Sequence, residues 1–215
     1  MYTVYPKDNF VFIKLNLFMG FKISHLKGKS EIIDLAKFVV MQNFINHQNG
    51  KIDESFENDL KEIHEEEAVY YENSKIFISK NEKNEINGSI RVVKWNYRDI
   101  LPIQKIFNIN PIEIIGNSPI RHVWHIGRFA VNKNIKSSLL FKKLMVAALS
   151  QVCKYENSVV FAECDSKLLR VMNAMGIKTI QIGNAVNYLG SETIPVCIYF
   201  DGVIDFYTKN KVLFS

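Results

Sequence analysis

The residues best suited to chemistry lie in one short run, Val123-Trp-His-Ile-Gly-Arg-Phe-Ala-Val131. Read as a strand, it places Val123, His125, Gly127, Phe129 and Val131 on one face. Trp124, Ile126, Arg128 and Ala130 take the other. A His and an Arg inside an otherwise apolar strand are costly to bury without partners. They are either satisfied core groups, the His bonded to backbone and the Arg paired with a carboxylate, or members of a site. As a site residue, His125 is a group able to take or give a proton near neutral pH. Gly127 weakens a strand interior and points to a bulge, or to close approach by backbone or ligand.

The segment that follows, Asn132-Lys-Asn-Ile-Lys-Ser-Ser138, leads into an apolar helical pattern with Leu140, Leu144, Met145, Ala148 and Val152 on one side. Free backbone N–H groups, the hydroxyls of Ser137 and Ser138, and the charges of Lys133 and Lys136 suit an anion. Ordinary Ser capping explains the same residues. Glu62, Glu65, Glu66 and Glu67 form an acidic cluster that reads as a solvated helix or loop face, with Glu65 to Glu67 as remote candidates for an amine site. His122 and His125 are three apart, so on a strand they face opposite sides and form no metal site. Cys153, Cys164 and Cys197 show no C-x-x-C spacing and read as reduced core thiols in a cytoplasmic protein.

The elements that must position these residues follow from periodicity. Val11, Ile13, Leu15, Leu17 and Met19 alternate, so Phe10 to Phe21 reads as a strand and neither a membrane span nor a signal peptide. Ser30 precedes a helical pattern that should end near Asn49-Gly50. Two apolar runs, Lys75 to Ser79 and Ile86 to Trp95, flank a polar stretch and predict a β-hairpin. Leu101 to Phe107 reads as a short helix and Pro111 to Pro119 as a loop. Strand 123–131, a helix at about 136–155 and strand 158–164 then form a βαβ unit. A helix at about 166–174 and strands at about 177–182 and 193–200 close the reading. The expected sheet is mixed: antiparallel early, parallel in the middle and antiparallel at the end. With 215 residues, 47% of them hydrophobic and 23% charged, the chain reads as a single α/β domain over 1–215. The net charge of +5 suggests an acidic partner, but no Lys/Arg block favours nucleic acid.

Taken in order, several segments resemble the acyl-homoserine-lactone synthases and related N-acyl amino acid synthases of the GNAT superfamily. Trp124-His-Ile-Gly-Arg-Phe-Ala-Val131 is similar to the family's Trp-Glu-Ile/Leu-Ser-Arg-Phe-Ala-Val/Ile motif. Asn87-Gly-Ser-Ile-Arg-Val92 is similar to its Gly-x-x-Arg strand, with Leu101-Pro102 and Phe107 echoing the element after it. Leu168 to Gly176 and Tyr188 to Val196 resemble the closing helix and strand, so the likeness covers roughly residues 75–200.

The resemblance implies a GNAT-like three-layer fold with a mostly antiparallel mixed sheet and a splayed parallel strand pair, about 123–131 and 158–164. It implies an N-acyltransferase that moves a fatty acyl group from acyl carrier protein or coenzyme A to a primary amine such as an amino acid. Carrier protein suits the basic chain, and no metal, nucleic acid or stable membrane insertion is expected. By the same resemblance, backbone of Phe129, Ala130 and Val131 would pair with the donor's pantetheine arm, and the helix start at Ser137 and Ser138 would take its phosphate. Arg91, Arg128 and Trp124 would organise the substrate site. Two departures bear on catalysis, because His125 stands where the family has Glu and Gly127 where it has Ser. His125 can serve as the base, or the chain can be an inactive GNAT-fold protein that binds an acyl carrier, coenzyme A or a lipid amide. The family's N-terminal acceptor-pocket pattern is not found in residues 1–60, which favours a small amine over S-adenosylmethionine.

Overall fold

The computed structural model describes residues 21–47, 54–188 and 190–214. The strand expected from Phe10 to Phe21 falls, but for Phe21, outside them, as does the expected helix end at Asn49-Gly50. The chain runs β1 (Ile23–His25), α1 (Ile32–His47), α2 (Ser55–Tyr70), β2 (Ser74–Lys80), β3 (Ile86–Lys94), α3 (Pro102–Phe107) and α4 (Pro111–Ile115). It continues through β4 (His122–Val131), α5 (Ser138–Val152), β5 (Ser158–Asp165), α6 (Ser166–Ala174), β6 (Ile180–Gln181), β7 (Val186–Tyr188), β8 (Ser191–Tyr199) and α7 (Phe200–Asn210).

Local chemistry sets these boundaries. The β2–β3 hairpin turns where the Asn81 side chain accepts from the backbone N–H groups of Lys83 and Glu85, at 3.0 and 2.9 Å. Pro102 opens α3 with its fixed φ, and Asn108, left-handed at φ 54, ends it. Asn110 caps the N–H of Ile112 at 3.1 Å, so Pro111 starts the short helix α4 where the sequence suggested a loop. Ser30 lies within a 3-10 turn, Lys29–Glu31, that leads into α1.

The described strands join one sheet in the order β1-β2-β3-β4-β5-β8-β6, with β7 also on β8. Among the described residues β4 and β5 form the parallel pair, and the other pairs are antiparallel. Helices cover both faces. On one side α5 and α7 bury Leu140, Leu144, Val146, Val203 and Phe206 against Ile90, Val92, Trp124, Val160 and Ile198. On the other, Leu35, Val39 and Ile63 of α1 and α2 pack on Ile76, Ile78 and Ala130. Leu101 and Ile103 at the start of α3 cover Val93, Val123 and Phe161 beside them. This is the three-layer arrangement expected.

The C-terminal region departs from expectation. Only Ile180–Gln181 of the run 177–182 is strand, because Ile177 is buried in the α5–α7 core. A further strand, β7, precedes β8, and the helix α7 follows it. Gly202 lets α7 pass beside the carbonyl of Lys178, where a Cβ would lie only 2.7 Å from the oxygen. No helix among the described residues is long and apolar enough to cross a membrane.

Candidate active site

The parallel ladder of β4 and β5 runs from His122↔Ser158 to Ile126↔Ala162 and stops, although β4 continues to Val131 and β5 to Asp165. Beyond Ile126 the strands therefore splay, and among the described residues β4 is paired there only on its β3 edge. There Arg91 faces Gly127 but Ser89 faces Ala130, so Arg128 and Phe129 together oppose Ile90. This is a β-bulge. Arg128 sits in the left-handed region at φ 54, and Ser89 Oγ donates to its carbonyl at 2.8 Å.

The bulge corrects the strict alternation read from the sequence. An extra residue flips every side chain after it. Arg128 joins His125 on the face covered by α1 and α2, while Phe129 turns to the opposite face and meets Phe141 of α5 edge-on at 5.0 Å. Trp124 also faces that side, where its Nε1 donates to Ser158 Oγ at 3.3 Å. It is a core residue and does not line the cleft, contrary to the site role implied for it.

A charged network occupies the α2 side. Glu67, fully buried, accepts from Arg91 and from Arg128 Nε, the latter at 2.7 Å. Glu66 Oε1 accepts from Arg128 Nη2 at 2.6 Å and lies 3.4 Å from both terminal nitrogens of Arg91. The Tyr70 ring lies under Arg91, with its centroid 4.8 Å from the guanidinium carbon. Arg91 Nη2 is 3.3 Å from His125 Nδ1, and His125 Nε2 is 2.8 Å from Glu163 Oε2. Gly127 makes room for this chain of contacts, since a Cβ there would come within 2.9 Å of His125 Cε1.

Burial works against the charge on Arg128, but Glu66 and Glu67 outweigh it and hold the guanidinium above its usual range. Burial likewise opposes the Glu66 carboxylate, yet Arg128 and then Arg91 keep it below the ordinary value. Tyr188, across the cleft, is pushed up to about 12 by burial against the pull of Arg128, so it remains a protonated phenol at neutral pH.

The splay opens a cleft with two kinds of wall. Glu66, Arg91, His125, Arg128, Glu163 and Tyr188 supply a polar one. Phe129, Met145, Ala162, Leu168 and Met172 supply an apolar one. Of the expected site residues, the structure brings Arg91, His125, Arg128 and Phe129 to this cleft. Ala130 packs into the α1 core, and Val131 against α5. Ser137 caps α5 through Leu139 N at 3.2 Å, and Ser138 is exposed beside it, both outside the cleft lining. His122 stacks on Tyr155 at 4.1 Å, away from His125.

Of the residues in this network, Glu163 and Tyr188 escaped the sequence reading, while Glu66 and Glu67 read there as part of a solvated acidic face with only a remote claim on an amine; two of the four left clear signals. Glu67 falls on the buried stripe Leu60, Ile63, Glu67 and Tyr70 of α2, where an acid needs a partner. Glu66 beside it is mostly covered, so the acidic face is solvated only at Glu62 and Glu65. Glu163 interrupts the apolar run Val159-Val-Phe-Ala-Glu-Cys164, just as His125 interrupts β4. Tyr188 left no such mark.

No protein-family profile matches the chain, and no curated protein sequence matches it. Solved structures do. FeeM, an N-acyl amino acid synthase from uncultured soil microbes, superposes with a TM-score of 0.57 at 18% identity, over 84% of this chain and 92% of that one. BjaI, a coenzyme-A-dependent acyl-homoserine lactone synthase solved with S-adenosylmethionine and isopentyl-CoA, gives 0.56 at 12% over 89% and 90%. A GNAT-family acetyltransferase from Staphylococcus aureus gives 0.54 at 14% over 84% and 99%. The chain has the GNAT fold, in the form shared by these acyl-transferring proteins.

Proposed function

We propose that the protein is an N-acyltransferase that moves an acyl group from a pantetheine thioester to a primary amine. The observation that carries this reading is the two-walled cleft at the β4–β5 splay, where ionisable groups and an apolar channel meet within one cavity. A β4 edge without a strand partner beyond Ile126 among the described residues offers backbone groups to an extended, amide-bearing arm. Residues Phe129 to Val131 would supply that edge. Ser137, Ser138, Lys133 and Lys136 follow directly at the start of α5, where a helix N-terminus favours phosphate.

The apolar wall of Phe129, Met145, Leu168 and Met172 suits a fatty acyl chain. Arg91 and Arg128 are held by Glu66 and Glu67, and so shape the polar wall for an amine. Coenzyme A and acyl carrier protein both present the required thioester. The +5 charge favours the acidic carrier protein, and either donor would place the enzyme in the cytoplasm. The likeness to an N-acyl amino acid synthase and a coenzyme-A-dependent synthase supports the same chemistry.

The test is a reaction of the purified protein with acyl carrier protein and acyl-coenzyme A donors of mixed length, pooled amino acids, simple amines and S-adenosylmethionine. Mass spectrometry should reveal an N-acyl amide and identify both substrates. Donor that stays bound without any product would instead support an acyl-binding protein.

A further inference from the structure

Both ring nitrogens of His125 are engaged. Nδ1 lies 3.3 Å from Arg91 Nη2, and a guanidinium nitrogen can only donate. Nδ1 is therefore the acceptor and carries no proton, which assigns the ring hydrogen to Nε2. That N–H donates to Glu163 Oε2 at 2.8 Å. In this tautomer the imidazole has no free lone pair with which to take a proton from an amine.

Glu163 is placed differently. It is the first residue of β5 beyond the last parallel pair, Ile126↔Ala162, and it lines the cleft. Its side chain is only 10% exposed, and Oε1 has no hydrogen-bond partner among the described residues. A buried carboxylate oxygen left unpaired is costly, so its presence calls for a partner that arrives with the substrate. The charges of Arg91 and Arg128 are balanced by Glu66 and Glu67, so Glu163 adds negative charge to a cleft that Asp165 also lines. Such a charge attracts an ammonium group.

We propose that Glu163 is the general base, accepting the acceptor's proton on Oε1, and that His125 is a positioning residue holding it through Oε2. The proposal rests on the N-acyltransferase reading. The acceptor enters as an ammonium ion and gives one proton to Glu163. The neutral amine then adds to the thioester carbonyl, forming the C–N bond. Collapse breaks the C–S bond, and the second nitrogen proton passes to the departing sulfur to give a free thiol. Glu163 returns its proton to water, so one proton is released per amide.

Size changes at two positions fit this arrangement. An imidazole at 125 needs the space that Gly127 leaves, where a Cβ would sit 2.9 Å from His125 Cε1 and 3.3 Å from Arg91 Nη2. The imidazole at 125 and the glycine at 127 thus fit one another, with the carboxylate standing on the neighbouring strand.

The test compares parent, Glu163→Gln and His125→Phe proteins with octanoyl-coenzyme A, octanoyl carrier protein and a pool of amino acids and alkyl amines. Amide formation is followed from acid to alkaline pH. Glu163→Gln should lower kcat/KM by about 10²–10⁴-fold with donor binding and melting unchanged, the range expected for a lost general base. Its residual rate should climb about tenfold per pH unit, since only amine already neutral can react. His125→Phe should lose less and keep the parent's acid limb. If Glu163→Gln folds poorly, Glu163→Ala assayed with added formate should regain turnover. A Glu163→Gln protein within a few-fold of parent overturns the proposal but leaves the N-acyltransferase reading intact, as does loss of the acid limb in His125→Phe alone. A parent without turnover on any acceptor overturns both.

Discussion

Glu67 Oε1 lies 2.7 Å from Arg128 Nε, an ion pair with a fully buried carboxylate that ties helix α2 to the bulge of the central strand. Arg91 from β3 shares the same carboxylate oxygen. The pair makes the unusual backbone of Arg128 useful, because only the bulge brings its guanidinium to the side where Glu66 and Glu67 wait.

Removal of Glu67 should therefore be severe. Glu67→Ala leaves two guanidiniums without their shared buried counter-charge, and breaking a buried pair by deleting one partner costs about 3–5 kcal/mol. Urea denaturation of the variant against parent measures this. A loss under about 1 kcal/mol, the range of a surface pair, would show that the network does not bear on the fold.

Stability should also fall in acid through Glu66. Its carboxyl is held below the ordinary 4.5, because Arg128 and Arg91 overcome the effect of burial. The folded protein thus binds fewer protons than the unfolded chain, and the contribution is fully present above about pH 4.5. It is lost as pH falls through the folded value. Melting curves from neutral pH downward should show the decline, and Glu66→Gln should flatten it.

Gly127 should tolerate no side chain. Gly127→Ala places a methyl 2.9 Å from His125 Cε1, forcing the ring away from Arg91 or Glu163. Overpacking of this kind costs about 1–3 kcal/mol. Turnover should drop together with stability, and in a His125→Ala background the same substitution should cost less stability, because the ring that the methyl meets is gone.

Cys164 lines the cleft, but its thiol is poorly suited to act as a nucleophile. Burial, with Asp165 and Glu163 adding to it, pushes its thiol up to about 12, so almost no thiolate exists at neutral pH. Cys164→Ala should keep turnover within a few-fold. Intact-mass spectra during turnover should show no acyl adduct on Cys153, Cys164 or Cys197, and an adduct would contradict direct transfer.

The apolar wall should set the acyl length. Met145 and Met172 are both buried and both line the cleft. Met145→Trp should shift products toward shorter chains, and Met172→Ala toward longer ones, as read by product mass.

Much of the frame was legible because it rests on local patterns. The β2–β3 hairpin, the β4–α5–β5 unit and the parallel pair follow from period and turn chemistry, and the structure reproduces them. The site was less legible because its contacts are long-range. Nothing near Glu67 in sequence announces Arg91 or Arg128, which lie 24 and 61 positions away. Gly127 hinted at a bulge, but the left-handed residue is its neighbour Arg128, and one such residue reverses the facing of Arg128 and Phe129. Helix α7 was not read from the sequence at all, and its Gly202 fits the close approach of the Lys178 carbonyl.

The most direct measurement is the ratio of free thiol to amide in a single turnover of octanoyl-coenzyme A or octanoyl carrier protein, run with the pooled amines. Direct transfer across the β4–β5 splay requires one thiol for each amide formed, with no free octanoic acid. Thiol release matched by octanoic acid, or donor consumed without any amide, would contradict it.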